Sequence, residues 1–167
     1  KGIFGYGYNS SIFNTALSNL VSNTGVVATD VSGVGTGRRM IAACAYGGDK
    51  GLFGYGYDGS NLSITNLVSN AGVIATDTTG VGTARRALGA TEYGGDKGIF
   101  AYGRTTGDVS LSNLVSNTGV VATDTTGVGT ARQGSPGACG YDYDKGIFAY
   151  GYAGGNVSMS NLVSNTG

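Results

Sequence analysis

The strongest constraint on this chain is that it repeats itself. The stretch DKGIFAYG at Asp96–Gly103 recurs unchanged at Asp144 and as DKGLFGYG at Asp49, and KGIFGYG stands at Lys1. The lysines Lys1, Lys50, Lys97 and Lys145 lie 49, 47 and 48 residues apart. A second block, NLVSNTGVVATD, is identical at Asn19–Asp30 and Asn113–Asp124, with NLVSNAGVIATD at Asn66–Asp77 and a shortened copy ending at Gly167. Residues 1–167 therefore read as a single repeat array with units beginning at 1, 50, 97 and 145, the last truncated. Opening on Lys1 rather than Met, and stopping within a unit, it reads as a window on a longer chain.

Each unit predicts strands. KGIFAYGY is short, aromatic and bounded by glycine, NVSMSNLVS alternates apolar with polar residues, and GVVATDTTGVG is β-branched. RRALGATEYGG contains helix formers, but its span between glycine-rich turns is too short for a stable helix, so it is assigned to a strand. SNTG, GGDKG and DGSN supply turn chemistry between the runs. The expectation is a four-stranded antiparallel meander per unit and essentially no helix. Such a meander cannot bury both faces alone; stacking successive units buries them, and small residues such as Gly51, Gly98, Ala101 and Gly146 let neighbouring sheets approach.

Written from its first strand, the unit is ARRALGATEYGGDKGIFAYGRTTGDVSLSNLVSNTGVVATDTTGVGTAR. It resembles a kelch-type β-propeller blade: Arg86 at the opening of the inner strand, the pair Gly94–Gly95, then Ile99–Phe100 and Gly103 match that pattern. The near-identical units are also similar to repetitive propeller-like proteins of environmental bacteriophages and bacteria. The resemblance implies an all-β, kelch-like β-propeller of four-stranded blades, incomplete at about three and a half blades and 14 strands. It further implies an extracellular or virion-surface location, and either more blades in the same polypeptide or self-assembly to complete the ring.

Composition narrows the chemistry. Ten basic residues balance ten acidic ones and only 12% of residues are charged, so nothing draws the chain to nucleic acid or an anionic membrane. No apolar run approaches the ~20 residues of a membrane-spanning helix. There is no histidine, which removes the usual general base and the commonest metal ligand, and no cofactor is expected. Cys44 and Cys139 occupy equivalent slots, filled by Thr91 in the unit between, and are expected to be reduced and buried. Asp30, Asp77 and Asp124 read as Asx-type turns, and YDYDKG at Tyr141–Gly146 lacks the ligand spacing of a calcium loop.

What differs between units is more informative. One variable segment follows the FxYG strand (YNSSIFNTALS, YDGSNLS, RTTGDVS, YAGGNVS); the other runs through the inner strand (RRMIAACAY, RRALGATEY, RQGSPGACGY). In a meander both emerge on one end, either by drift of exposed positions or as a binding face. The expected function is non-enzymatic: a structural or recognition module for a glycan or protein surface, with Tyr8, Tyr57, Tyr152, Arg39, Arg86 and Arg104 as candidate ligand-binding residues. Aromatic faces stack on sugar rings, and arginine forks grip carboxylates. The alternatives are a glycan hydrolase, which would need two converging carboxylates, and a pure spacer. Arg86 with Asp77 is a candidate repeat-equivalent ion pair.

Overall fold

The computed structural model describes residues 1–11 and 13–167; Ile12, within the first variable segment, lies outside them. Among the described residues the chain is all-β, with eleven strands in four small antiparallel sheets. The first sheet pairs β1 (Gly2–Asn9) with β2 (Phe13–Val21). The second runs β3 (Ala42–Tyr46), β4 (Lys50–Tyr57), β5 (Asn61–Val68), and the third β6 (Gly89–Tyr93), β7 (Lys97–Ala101), β8 (Ser112–Val115). The fourth runs β9 (Gly137–Tyr141), β10 (Lys145–Ala149), β11 (Ser160–Val163). Arg85–Tyr93 carries the strand β6, as the turn chemistry predicts, despite its helix formers.

The expected fourth strand of each unit is a broken edge. In the second unit it meets β5 only through the bridges Val68–Ile74 and Thr65–Thr78. Between those bridges, Ala75–Asp77 face Asn66 and Leu67, an extra residue on one side and hence a bulge. The Asn66 side chain takes the Ala75 carbonyl at 3.0 Å, an acceptor that a regular ladder would give to a backbone N–H. Asn113 does the same to Ala122.

A second irregularity sets how units meet. Tyr6, Tyr55, Tyr102 and Tyr150 have φ of 61° to 65°, each followed by a glycine at 109° to 125°. Positive φ is costly for tyrosine and free for glycine. The ladder slips at this point, between Gly5 and Gly7 and between Gly54 and Gly56. The tyrosine rings meet the next sheet edge-on: Tyr6 on Phe53 at 5.2 Å, Tyr55 on Phe100 at 5.1 Å, Tyr102 on Phe148 at 5.6 Å. Each phenylalanine also lies over a small residue of the earlier unit. A Cβ on Gly54 would stand 2.7 Å from the Phe100 ring, so a larger side chain there would push the ring away.

The core accordingly lies between sheets. One cluster joins Phe53, Val68 and Ile74 to Ile3 and Tyr6, another contains Tyr55, Leu88, Phe100 and Val115, and a third Tyr93, Tyr102, Phe148 and Val163. The repeated strands are buried where both neighbours are present and open at the two outer sheets, where Phe4 is 63% and Leu162 70% exposed. The cysteines split. Cys44 is half-buried, its sulfur 2.6 Å from where a Cβ on Gly98 would stand, and burial pushes its thiol up to about 12. Cys139 is exposed, against expectation, because β9 belongs to an outer sheet. Both thiols are free.

Candidate functional site: an arginine–tyrosine row

The double arginines divide their labour. Arg38, Arg85 and Arg132, the first of each RR or RQ pair, are fully buried. Arg38 stacks over Tyr6 of the preceding sheet at 4.2 Å, donates its Nε to the Tyr55 carbonyl at 2.8 Å and a terminal N–H to Asn66 Oδ1 at 2.6 Å. Arg85 repeats this over Tyr55 at 4.3 Å and to the Tyr102 carbonyl at 2.9 Å, and Arg132 lies 3.6 Å over Tyr102. Burial lowers the pKa of Arg38 and Arg85 from the ordinary arginine range, with the neighbouring tyrosine and aspartate acting in the opposite sense. Burial likewise pushes the Tyr55 hydroxyl up to about 12.

Asp77 and Asp124 belong to the same junctions and are not Asx turns, and Asp30 accepts the Asn19 amide at 2.7 Å. Asp77 accepts the Thr36 backbone N–H at 3.0 Å, its hydroxyl at 2.7 Å and the Asn66 amide at 2.9 Å, with Arg38 3.9 Å away. Asp124 holds Thr83, Asn113 and Arg85 in the same way. Burial raises the carboxyls of both aspartates, but the threonine and asparagine hydrogen bonds outweigh it and leave them below the usual carboxylate range. The ion pair therefore runs from Arg85 forward to Asp124. The expected pairing of Arg86 with Asp77 does not form. The repeat showed these residues, and its third copy separates the two positions, because Arg132 is kept where Gln133 replaces the second arginine.

The second arginines lie at the end where the variable segments meet. Arg39 stacks at 5.1 Å from the Tyr8 ring and 5.0 Å from the Tyr57 ring, and Arg86 stacks at 4.9 Å from Tyr57. Four of the six candidate residues thus form one row, Tyr8–Arg39–Tyr57–Arg86, contributed by the first two units. Asn14 and Asn61 hold the guanidinium groups through one terminal nitrogen each, at 2.8 and 2.6 Å. Beside Arg39, a recess of about 510 Å³ is lined by Tyr8, Phe13 and Met40.

Arg104 and Tyr152 stand outside the row. Arg104 fills the slot of Tyr57 and pairs with Arg86 through the backbone, but its side chain turns to Asp108 at 3.5 Å. Asp108 stands where the other units carry Asn14, Asn61 and Asn156, so the third unit replaces a Tyr–Asn pair with an Arg–Asp pair. The slot of Arg39 and Arg86 is then Gln133, which pairs through the backbone with Tyr152; an arginine there would crowd a third cation beside Arg104 and Arg86. The asparagines were missed from sequence, although their recurrence at a fixed offset was a usable signal. Asp142 and Asp144 both pair with Lys145 at 2.8 Å.

Comparison with solved structures places this architecture beside YjhT. The two are 15% identical with a TM-score of 0.67 over 89% of this chain and 49% of that one. This chain therefore spans about half the length of the chain it matches, and the likeness is one of fold. No family model and no curated protein matches the sequence.

Proposed function

We propose that the four sheets are blades of a kelch-like β-propeller, and that the end carrying the arginine–tyrosine row binds a carboxylate-bearing glycan or protein surface without catalysis, outside the cell or on a virion. The propeller reading is supported by β3, β6 and β9 lying side by side as the first strands of successive sheets and by junctions that repeat the same tyrosine–phenylalanine and tyrosine–arginine contacts.

The observation that carries the binding reading is the row Tyr8–Arg39–Tyr57–Arg86. Two guanidinium groups are held flat against aromatic rings, and each has a single terminal nitrogen tied to an asparagine. A planar fork fixed in this way is suited to bidentate grip of a carboxylate, and the rings offer stacking faces for sugars. Hydrolysis would require two free carboxylates facing one pocket. Of the acids at this end, Asp108 is held by Arg104, and Asp58 caps its own turn by accepting the Ser60 N–H at 3.0 Å.

Retention on an array of acidic and neutral glycans tests the reading. Arg39→Ala and Arg86→Ala should each lose retention on acidic glycans while melting close to wild type. Retention unchanged in both variants would reject the row as the site, and a wild-type chain that binds nothing on the array or on protein-bearing cell surfaces would favour a spacer.

A further inference from the structure

We infer that the face of the first sheet and the face of the last sheet are complementary, and that a second copy of this chain docks head-to-tail across them. This goes beyond ligand binding and does not rest on it.

The argument uses the three junctions inside the chain, which follow one rule. The earlier unit presents a tyrosine and a leucine; the later unit presents a phenylalanine that meets the tyrosine edge-on and a glycine that receives the leucine. The tyrosine–phenylalanine pairs are Tyr6–Phe53, Tyr55–Phe100 and Tyr102–Phe148. The glycines that meet leucine are Gly72 with Leu20, Gly119 with Leu67 and Gly167 with Leu114; a Cβ on Gly119 would stand 2.7 Å from Leu67.

Both halves of this rule are left open at the outer sheets. The last sheet offers Tyr150 (64% exposed) and Leu162 (70% exposed), with the small residue Ala149 beside them. The first offers Phe4 (63% exposed) and Gly25, which has open space where a Cβ would be. Phe4 of a second copy would meet Tyr150 over Ala149, and its Gly25 would receive Leu162.

The joint should be weaker than the internal ones. It lacks the arginine stacked on each internal tyrosine, and among the described residues β1 has no inner strand beside it, leaving a groove of about 1050 Å³ lined by Gly2, Ile3, Ala43 and Phe53. One side chain also opposes it. Gly47 and Gly94 approach the carbonyls of Asn117 and Asn165 so closely that a Cβ would lie 2.9 and 3.0 Å from them. Asp142 occupies that slot in the last unit, facing Asn23 of a second copy. The contact is heterologous, because different patches meet, and it closes into a ring or grows as a filament.

Sedimentation equilibrium of the 167-residue chain decides the matter. Wild type should show a weight-average mass rising with concentration above 16.7 kDa. Phe4→Asp blocks one face and Tyr150→Asp the other, so each variant should be monomeric alone, while an equimolar mixture should form dimers and stop there. Asp142→Gly should shift association to lower concentration. Leu162→Asp provides an independent block of the last face should Tyr150→Asp fail to fold. A wild-type mass constant at 16.7 kDa over the accessible range would overturn the proposal. So would association that the Asp variants leave unchanged, or folded Phe4→Asp and Tyr150→Asp chains that do not combine.

Discussion

Replacing each of two adjacent arginines with alanine provides the sharpest test of how the units are joined. Arg85 is fully buried, donates to the Tyr102 carbonyl at 2.9 Å and the Thr83 carbonyl at 3.2 Å, stacks 4.3 Å over Tyr55, and lies 3.9 Å from Asp124. Arg85→Ala removes the cation, opens a cavity between two sheets and strands buried acceptors, a loss on the scale of about 3–5 kcal/mol for breaking a buried charge network. In a chain of this size each kcal/mol moves the melting temperature by about 2–4 °C, so the drop should be about 6–20 °C. Arg86 is half-exposed, bonded to Asn61 at 2.6 Å and stacked 4.9 Å from Tyr57. Arg86→Ala should cost only about 0.5–1 kcal/mol. Arg85→Lys should behave like Arg85→Ala, because an ammonium cannot serve Tyr102 and Thr83 while lying flat on Tyr55. Thermal unfolding followed by far-UV circular dichroism measures all three. Arg85→Ala and Arg86→Ala melting within about 2 °C of each other would refute the assignment of the junction to the first arginine.

Acid should weaken the same junctions. Asp77 and Asp124 are held below the usual carboxylate range, so their stabilisation is present at neutral pH, starts to go as pH falls past the unfolded value of about 4, and is lost below the depressed native values. Asp77→Asn with Asp124→Asn should flatten the acid limb of a melting-temperature profile; an unaltered limb would clear these aspartates. In a thiol titration, Cys139 should react in the native protein and Cys44 only after unfolding, giving one thiol and then two. Tyr143 is fully exposed at φ 61°, in the slot that Gly48 and Gly95 fill at 77° and 79°. Tyr143→Gly should therefore stabilise by about 1 kcal/mol in chemical denaturation, and a loss of stability would show that the ring has a partner.

The periodicity, the strand at Gly89–Tyr93 and the convergence of Tyr8, Arg39, Tyr57 and Arg86 on one end were legible because each rests on local rules: turn residues, alternation and strand direction. The fourth strand was not, because the Asn66 amide competes for the Ala75 carbonyl and β-branched content cannot register that competition. Cys139 was misplaced for a related reason. Its slot is buried by the following unit, and equivalence in sequence does not carry the neighbour with it.

By itself the sequence determined an all-β array of near-identical units, since a 47–49-residue period with glycine-bounded strands allows few other solutions. Only the tertiary structure decided which arginine of each pair became buried. Both pairs lie just before the first strand of a sheet, and the same RR dipeptide places Arg38 and Arg85 between sheets and leaves Arg39 and Arg86 half-exposed beside Tyr57. That choice depends on the bulged tyrosine of the preceding sheet, a contact about 30 residues away in the chain, and no local pattern specifies it.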